Sequence, residues 1–188
     1  MTRLIAAIAF ILPLPVVAHA PMMAEGDLSM ESPFQIDDPE HSKAIYGELN
    51  GSPEYYSWTV EEPFDFYVGL TAPGVEECPI VATFSAEVTN QDGDVVASLV
   101  GDGVEWWAWF EEFGARWYWV GPETGVDFRS DEQLPAGTYT VKIFNEDNAG
   151  HYVLAVGDDE RFGPEVLMSL PRIGRESQAW WEAVDCRS

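Results

Sequence analysis

Most of the chain from residue 43 to residue 157 alternates apolar and polar residues in short runs. Tyr56, Trp58 and Val60, for example, alternate with the polar Ser57 and Thr59. A two-residue period is typical of a half-buried β-strand, because successive side chains of a strand point to opposite faces. The same period recurs in the runs 64–70, 80–88, 139–143 and 152–156.

Turn-forming residues separate these runs. Asn50-Gly51, the segment 90–94 and the segment 145–150 each interrupt the alternation. Asn-Gly and Asp-Gly pairs tolerate the positive φ angles of tight turns. Several short strands with such turns between them predict an all-β fold, an antiparallel and jelly-roll-like β-sandwich over residues 43–157.

Three segments do not follow the strand pattern. Residues 19–42 are polar and have no clear period, so we expect an N-terminal arm. Residues 104–127 are rich in aromatic side chains and predict an insertion between two sheet strands. Residues 158–188 place Ile173 and Trp180 on one helical face, which predicts a short C-terminal helical tail packed on the sandwich.

The first residues have the pattern of a secretory signal peptide. Arg3 precedes an almost uninterrupted apolar run, and small residues follow up to Ala20. The run is far shorter than the ~20 apolar residues that span a bilayer. We therefore expect a secreted or periplasmic protein with no membrane span after cleavage. Cleavage after Ala18 would make His19 the first residue; cleavage after Ala20 also fits, although the following Pro21 disfavours it.

The charge of the chain is strongly negative. It has 33 acidic and 9 basic residues, a formal net charge of -24 at pH 7. Such a surface repels nucleic acid and anionic membranes, so neither is an expected partner. High salt would screen the self-repulsion. The charge also suits calcium or a cationic partner, but a solvated acidic surface is the favoured interpretation.

The chain has two cysteines, Cys78 and Cys186. An even number of cysteines in an exported chain allows one disulfide, which would tie the C-terminus to the loop around residue 78. Nothing in the sequence indicates whether the two residues meet. A structural zinc site is not expected, because the paired spacing of its ligands is absent.

Two hairpin strands carry a family resemblance. Residues 134–144, Leu-Pro-Ala-Gly-Thr-Tyr-Thr-Val-Lys-Ile-Phe, and residues 150–157, Gly-His-Tyr-Val-Leu-Ala-Val-Gly, resemble the closing hairpin of bacterial pre-peptidase C-terminal (PPC-like) domains. Residues 55–60 and 66–70 are similar to the early strands of that domain. The resemblance implies a small secreted β-sandwich that accompanies hydrolases without being catalytic. The whole chain also resembles a group of uncharacterised exported microbial proteins, which implies a fold and a location but no activity.

The aromatic segment is the main candidate for ligand binding. Tryptophan rings stack on sugars and form hot spots for protein partners, and carboxylates accept hydrogen bonds from sugar hydroxyls. The candidate residues are Trp106, Trp107, Trp109, Glu111, Glu112 and Trp117. The alternative is that the rings belong to the core and the glutamates point to water. The expected partner is accordingly a carbohydrate or an unidentified protein.

Two sets of residues have the donor types of a metal site. The histidines are His19, His41 and His151. Imidazole suits copper, and an N-terminal His19 could bind copper through its amine and its ring if a second histidine lay nearby. Asn90, Asp92 and Asp94 have the alternate spacing of calcium ligands, but the rest of the EF-hand loop is missing and a tight turn also explains them.

Motifs of a catalytic site are absent from the sequence. It contains no G-x-S-x-G motif and no recognisable set of nucleophile, base and orienting group. The sequence therefore favours an exported, non-catalytic β-sandwich protein with a binding or structural role. The alternative is a secreted carbohydrate-binding protein, or a copper-binding oxidative one.

Overall fold

A computed structural model describes residues 19–74, 82–112, 114–161 and 164–184 of the chain. The predicted signal peptide, residues 1–18, lies outside the described residues. The two cysteines that the sequence allows to form a disulfide, Cys78 and Cys186, also lie outside them.

The described residues form thirteen β-strands and one α-helix. The strands are β1 (Ala20–Met23), β2 (Phe34–Gln35), β3 (Lys43–Asn50), β4 (Glu54–Val60), β5 (Phe64–Phe66), β6 (Val68–Gly74), β7 (Ser85–Asn90), β8 (Val95–Leu99), β9 (Trp107–Glu111), β10 (Arg116–Glu123), β11 (Glu132–Leu134), β12 (Gly137–Phe144) and β13 (Ala149–Val156). The helix is α1 (Pro164–Ala183). The predicted all-β fold with a short C-terminal helix is confirmed.

The strands form two main sheets and a two-stranded ribbon. The six-stranded sheet has the order β1-β3-β13-β6-β10-β9, the five-stranded sheet has the order β2-β4-β12-β7-β8, and β11 pairs with β5. All neighbouring strands are antiparallel except β1 with β3 and β2 with β4, which are parallel. Both parallel strands come from the N-terminal segment 19–42. That segment therefore supplies one edge strand to each main sheet.

The alternation of the sequence places one face of each sheet in the core. In β12, Tyr139, Val141 and Ile143 are buried, whereas the residues between them are half-buried. Trp58 and Tyr152 are among the largest fully buried side chains. Burial of each large apolar side chain contributes roughly 2–3 kcal/mol, which is the main stabilising term of such a core.

The aromatic segment 104–127 forms a hairpin that belongs to the six-stranded sheet. β10 pairs with β6 on one side and with β9 on the other. Residues directly opposite each other in an antiparallel pair share a face. Trp109 and Tyr118, which are opposite each other, therefore face outward, and Phe110 and Trp117 lie on the other face.

Helix α1 packs on the outer face of the six-stranded sheet. Its Trp180 forms a second buried cluster with Tyr46, Tyr118 and Val153. Pro171 lies inside the helix, where it removes one backbone donor. Among the described residues, no helix is long and apolar enough to cross a membrane.

Candidate ligand-binding pocket

A cavity of about 280 Å³ lies between the outer face of the six-stranded sheet and α1. Its floor consists of side chains on three adjacent strands, β3, β13 and β6: Ala44, Tyr46, Val153, Ala155 and Thr71. Helix α1 covers this floor with Ile173, Gly174 and Ser177. Because most of these groups are apolar or small, the cavity suits a molecule that is mainly apolar.

Aromatic rings form the wall of the pocket on the side of β9 and β10. The ring centroid of Trp109 lies 5.0 Å from that of Phe128 and 6.0 Å from that of Tyr118. Phe128 has a φ angle of 62°, a left-handed conformation that costs roughly 1 kcal/mol outside glycine. Its backbone N–H donates a hydrogen bond to Oε2 of Glu123 at 3.1 Å. This bond helps to hold the Phe128 ring at the pocket.

His19 contributes a polar group without a protein partner. Its Nε2 atom is buried and makes no hydrogen bond, although part of the residue reaches solvent. Burial lowers the pKa of His19 from 6.5 to about 4; the positive charge of Arg129 also lowers it, and Asp158 opposes both effects. The imidazole is therefore neutral at pH 7. An unsatisfied buried polar atom costs ~1–3 kcal/mol, and a ligand that paired with Nε2 would remove this cost.

Two tyrosine hydroxyls form a second polar feature of the pocket. The hydroxyl oxygens of Tyr46 and Tyr118 lie 2.8 Å apart, and either one can be the donor. Burial raises the pKa of both phenols, so both remain protonated at neutral pH. Since each hydroxyl has a single proton, the proton of the accepting tyrosine is not used within the pair.

Charged groups lie at the margin of the pocket near the β9–β10 turn. Glu111 lines the pocket, and its Oε2 accepts a hydrogen bond from the N–H of Gly114 at 2.6 Å. The Arg116 guanidinium lies 5.3 Å from the ring centroid of Trp181 and donates to Oε1 of Gln178 at 3.1 Å. The arginine therefore connects the hairpin to α1.

The pocket contains two of the six residues predicted to bind a ligand, Trp109 and Glu111. Trp106 instead belongs to the core between the sheets. Its Nε1 donates a hydrogen bond to the carbonyl oxygen of Gly101 at 2.9 Å, and its ring lies over Gly121. Trp106 therefore serves burial in this structure.

The other three predicted residues are exposed. Trp107 is 45% exposed, and its ring centroid lies 6.1 Å from that of Phe128. Trp117 is 44% exposed and packs against Phe110, with 5.2 Å between the ring centroids. Glu112 faces solvent. The tryptophans of the hairpin thus do not form one common patch.

The three histidines lie in different surroundings. His41 Nε2 is 2.7 Å from the carbonyl oxygen of Arg161. His151 packs edge-on against Trp180, with 5.0 Å between ring centroids, and burial lowers the pKa of His151 while Glu48 opposes this. In the part of the chain that the structure describes, no three His, Cys, Asp or Glu side chains are grouped so that they could hold a metal ion.

The predicted calcium ligands form a turn with its own hydrogen bonds. Oδ1 of Asn90 accepts the backbone N–H groups of Asp92 at 3.0 Å and Asp94 at 2.9 Å. This is the local bonding that makes asparagine favourable in turns. The spacing of the three residues is therefore explained without a cation.

The comparisons with known proteins give only a partial likeness of fold. No family model matches the chain, and no curated protein matches it significantly. The chain is similar to the pre-peptidase C-terminal domain of a collagenase from Bacillus anthracis, with 11% identity and a TM-score of 0.35 over 62% of this chain and 87% of that one. It is also similar to part of the catalytic domain of a GH87 alpha-1,3-glucanase solved with nigerose, with 16% identity, a TM-score of 0.31, and coverage of 64% of this chain and 23% of that one. No function follows from these matches. The fold is defined by the chain's own strands, which form a β-sandwich. The helix covers a mainly apolar cavity on one of its sheets.

Proposed function

We propose that this protein is an exported, non-catalytic binding protein that holds a small, mainly apolar molecule in the pocket under α1. The observation that carries the proposal is the buried Nε2 of His19, which lacks a hydrogen-bond partner in a mainly apolar cavity. The cavity of about 280 Å³ is close to the lower end of the usual range for ligand sites, roughly 300–1,000 Å³. Export is the expectation from the N-terminal signal.

The chemistry of the pocket supports binding more than catalysis. A histidine that acts as a general base in covalent catalysis is hydrogen-bonded to its nucleophile, whereas Nε2 of His19 has no such partner. The phenols of Tyr46 and Tyr118 are held in their protonated form by burial, so neither is an activated nucleophile. We therefore assign these groups to recognition of a ligand.

The uncharged fluorescent probe 7-amino-4-methylcoumarin, which has two fused rings, tests the proposal. We expect energy transfer from Trp109 and the neighbouring tryptophans to excite the bound probe. Its emission should therefore rise on binding. Gly174 supplies a blocking variant, because a Cβ at this position meets no atom within 4 Å. Gly174→Leu should fill part of the cavity and weaken probe binding at least tenfold.

Gly174→Ala is the matched control for the blocking variant. It adds a single methyl group and should bind the probe nearly as well as the natural protein. It should also stabilise α1 slightly, since alanine is favoured over glycine in a helix by about 1 kcal/mol. The proposal fails if the probe does not bind, or if Gly174→Leu binds it as tightly as Gly174→Ala does.

Carbohydrate binding is a second candidate function, at a different surface. Phe110 and Trp117 form an exposed aromatic pair on the face of the hairpin away from the pocket. Sugar rings pack on exposed aromatic rings of this kind. Titration with a panel of soluble oligosaccharides, read by tryptophan fluorescence, tests this candidate; Trp117→Ala should abolish any response, and no response to the panel would reject it.

A further inference from the structure

We infer that the pocket selects an uncharged aromatic molecule of about two fused rings that carries one hydroxyl group, and that His19 is the residue that recognises the hydroxyl. This inference rests on the proposed function, because it names the ligand class of the same site. It assigns a specificity-determining role to His19 and leaves the apolar walls to supply most of the affinity.

The aromatic walls favour a flat ligand. Trp109, Tyr118 and Phe128 lie around one side of the cavity, with adjacent ring centroids 5.0–6.0 Å apart. Aromatic rings prefer offset or edge-on neighbours at such distances, and each pair contributes ~0.5–1.5 kcal/mol beyond burial. Ala44 and Gly174 also line the cavity, and they leave space that larger side chains would occupy.

The volume of the cavity limits the ligand to about two rings. An apolar protein cavity of roughly 150 Å³ holds one benzene molecule. The cavity here has about 280 Å³, nearly twice that size. A naphthalene skeleton therefore fits, whereas a long acyl chain or a multi-ring sterol requires more space.

The side chains that surround the pocket disfavour an anionic ligand. His19 is neutral at pH 7, and the two charged groups that act on it, Arg129 and Asp158, have opposite signs. Glu111 lies on the wall, and the chain as a whole has a formal charge of -24, which repels anions. Burying an ion without a partner of opposite charge is far more costly than burying a neutral group.

A hydroxyl group matches the imidazole in either of its neutral forms. The Nε2 atom is a donor in one tautomer of neutral histidine and an acceptor in the other. A hydroxyl both donates and accepts, so it satisfies Nε2 of His19 in both cases.

Three ligands that share one skeleton test the inference: naphthalene, 2-naphthol and 2-naphthoate. Their dissociation constants are measured at pH 7 by displacement of 7-amino-4-methylcoumarin from protein purified after export. We expect 2-naphthol to bind at least tenfold more tightly than naphthalene, and 2-naphthoate to bind most weakly. His19→Phe keeps a ring of similar shape. It should reduce the ratio of the naphthalene dissociation constant to the 2-naphthol dissociation constant to about one, without weakening the binding of naphthalene.

The outcomes separate this inference from the proposed function. If all three ligands displace the probe with equal affinity, or if 2-naphthoate is the tightest, the inference is wrong and the pocket is a non-selective or anion site. If His19→Phe retains the preference, His19 is not the selecting residue. His19→Gln, which restores a hydrogen-bonding group, should recover part of the preference and guards against a folding defect in the first variant. Failure of the probe itself to bind would reject the proposed function.

Discussion

The indole Nε1 of Trp180 donates a hydrogen bond to the carbonyl oxygen of Gly47 at 3.1 Å, although 133 residues separate them in the chain. The contact fixes α1 to the outer face of the six-stranded sheet. The Trp180 ring also lies edge-on against Tyr46 and His151, with 5.0 Å between centroids in both pairs. One side chain therefore joins the helix to β3 and β13.

Replacement of Trp180 should loosen the helix and the pocket together. We expect Trp180→Ala to lower the free energy of unfolding by roughly 3–5 kcal/mol, the usual cost of truncating a buried aromatic residue. Trp180→Phe keeps most of the ring but leaves the Gly47 carbonyl without its donor, so about 1–2 kcal/mol should be lost. Urea unfolding measures both changes. Met168→Ala, at a site in α1 that is 82% exposed, is the control; a loss equal to that of Trp180→Ala would show that α1 does not dock through Trp180.

The effects on stability of replacing the two tyrosines of the pocket, Tyr46 and Tyr118, should be strongly coupled. Tyr46→Phe leaves the Tyr118 hydroxyl buried without its partner, and Tyr118→Phe does the reverse, so each variant should lose about 1–2 kcal/mol. The double variant should lose less than the sum of the two, because it removes both polar groups. A double-mutant cycle based on chemical denaturation measures the difference. Additive losses would indicate that water or another group satisfies each hydroxyl separately.

The strand pattern was predictable because its cause is local. Tyr139, Val141 and Ile143 alternate in the sequence and are buried in the structure, since one face of β12 meets the opposite sheet. The two-residue period of the sequence does not reveal what packs on the outer face of a sheet. Tyr46 and Ala44 could not be assigned to a pocket from the sequence, because only the packing of α1 on their face creates one.

The site itself was predictable only in part. His19 was selected by residue type as a ligand for copper, and the structure places it at the lining of a mainly apolar pocket; copper binding by its ring stays a prediction. Trp106 and Trp109 have the same residue type and lie in one segment, but one is in the core and the other is at the pocket, which depends on the register of the hairpin. Phe128 gives no signal in the sequence, because its position depends on a turn with positive φ angles.

If the predicted signal peptide is removed, the position of the cut decides whether the pocket keeps His19. The backbone N–H of Ala20 donates to the carbonyl oxygen of Ser42 at 2.9 Å, and Ala20 is buried at the start of β1. Cleavage after Ala20 would remove both this strand residue and His19, whereas cleavage after Ala18 retains them. We therefore expect the exported chain to begin at His19. Intact-mass measurement of protein from the exporting host checks this, and a chain that begins at Pro21 would leave the proposed recognition without its histidine.

The titration of His19 should make the protein less stable in acid. Burial lowers the pKa of His19 from 6.5 to about 4 in the folded protein, so the unfolded chain binds more protons between these two values. The contribution of His19 is therefore complete above pH 6.5 and is lost as the pH falls towards 4. By the linkage relation, the loss amounts to at most about 3 kcal/mol.

Comparison with His19→Phe isolates this effect from other titrating groups. Burial raises the pKa of Glu54, which acts in the opposite direction, and lowers that of His151, which acts in the same direction. Both groups are present in the two proteins, so their contributions cancel in the difference. Urea unfolding at a series of pH values from 4 to 7 should show that the natural protein loses stability relative to His19→Phe as the pH falls. A constant difference across this range would mean that the imidazole of His19 is as well solvated in the folded protein as in the unfolded chain, and that the pocket does not enclose it.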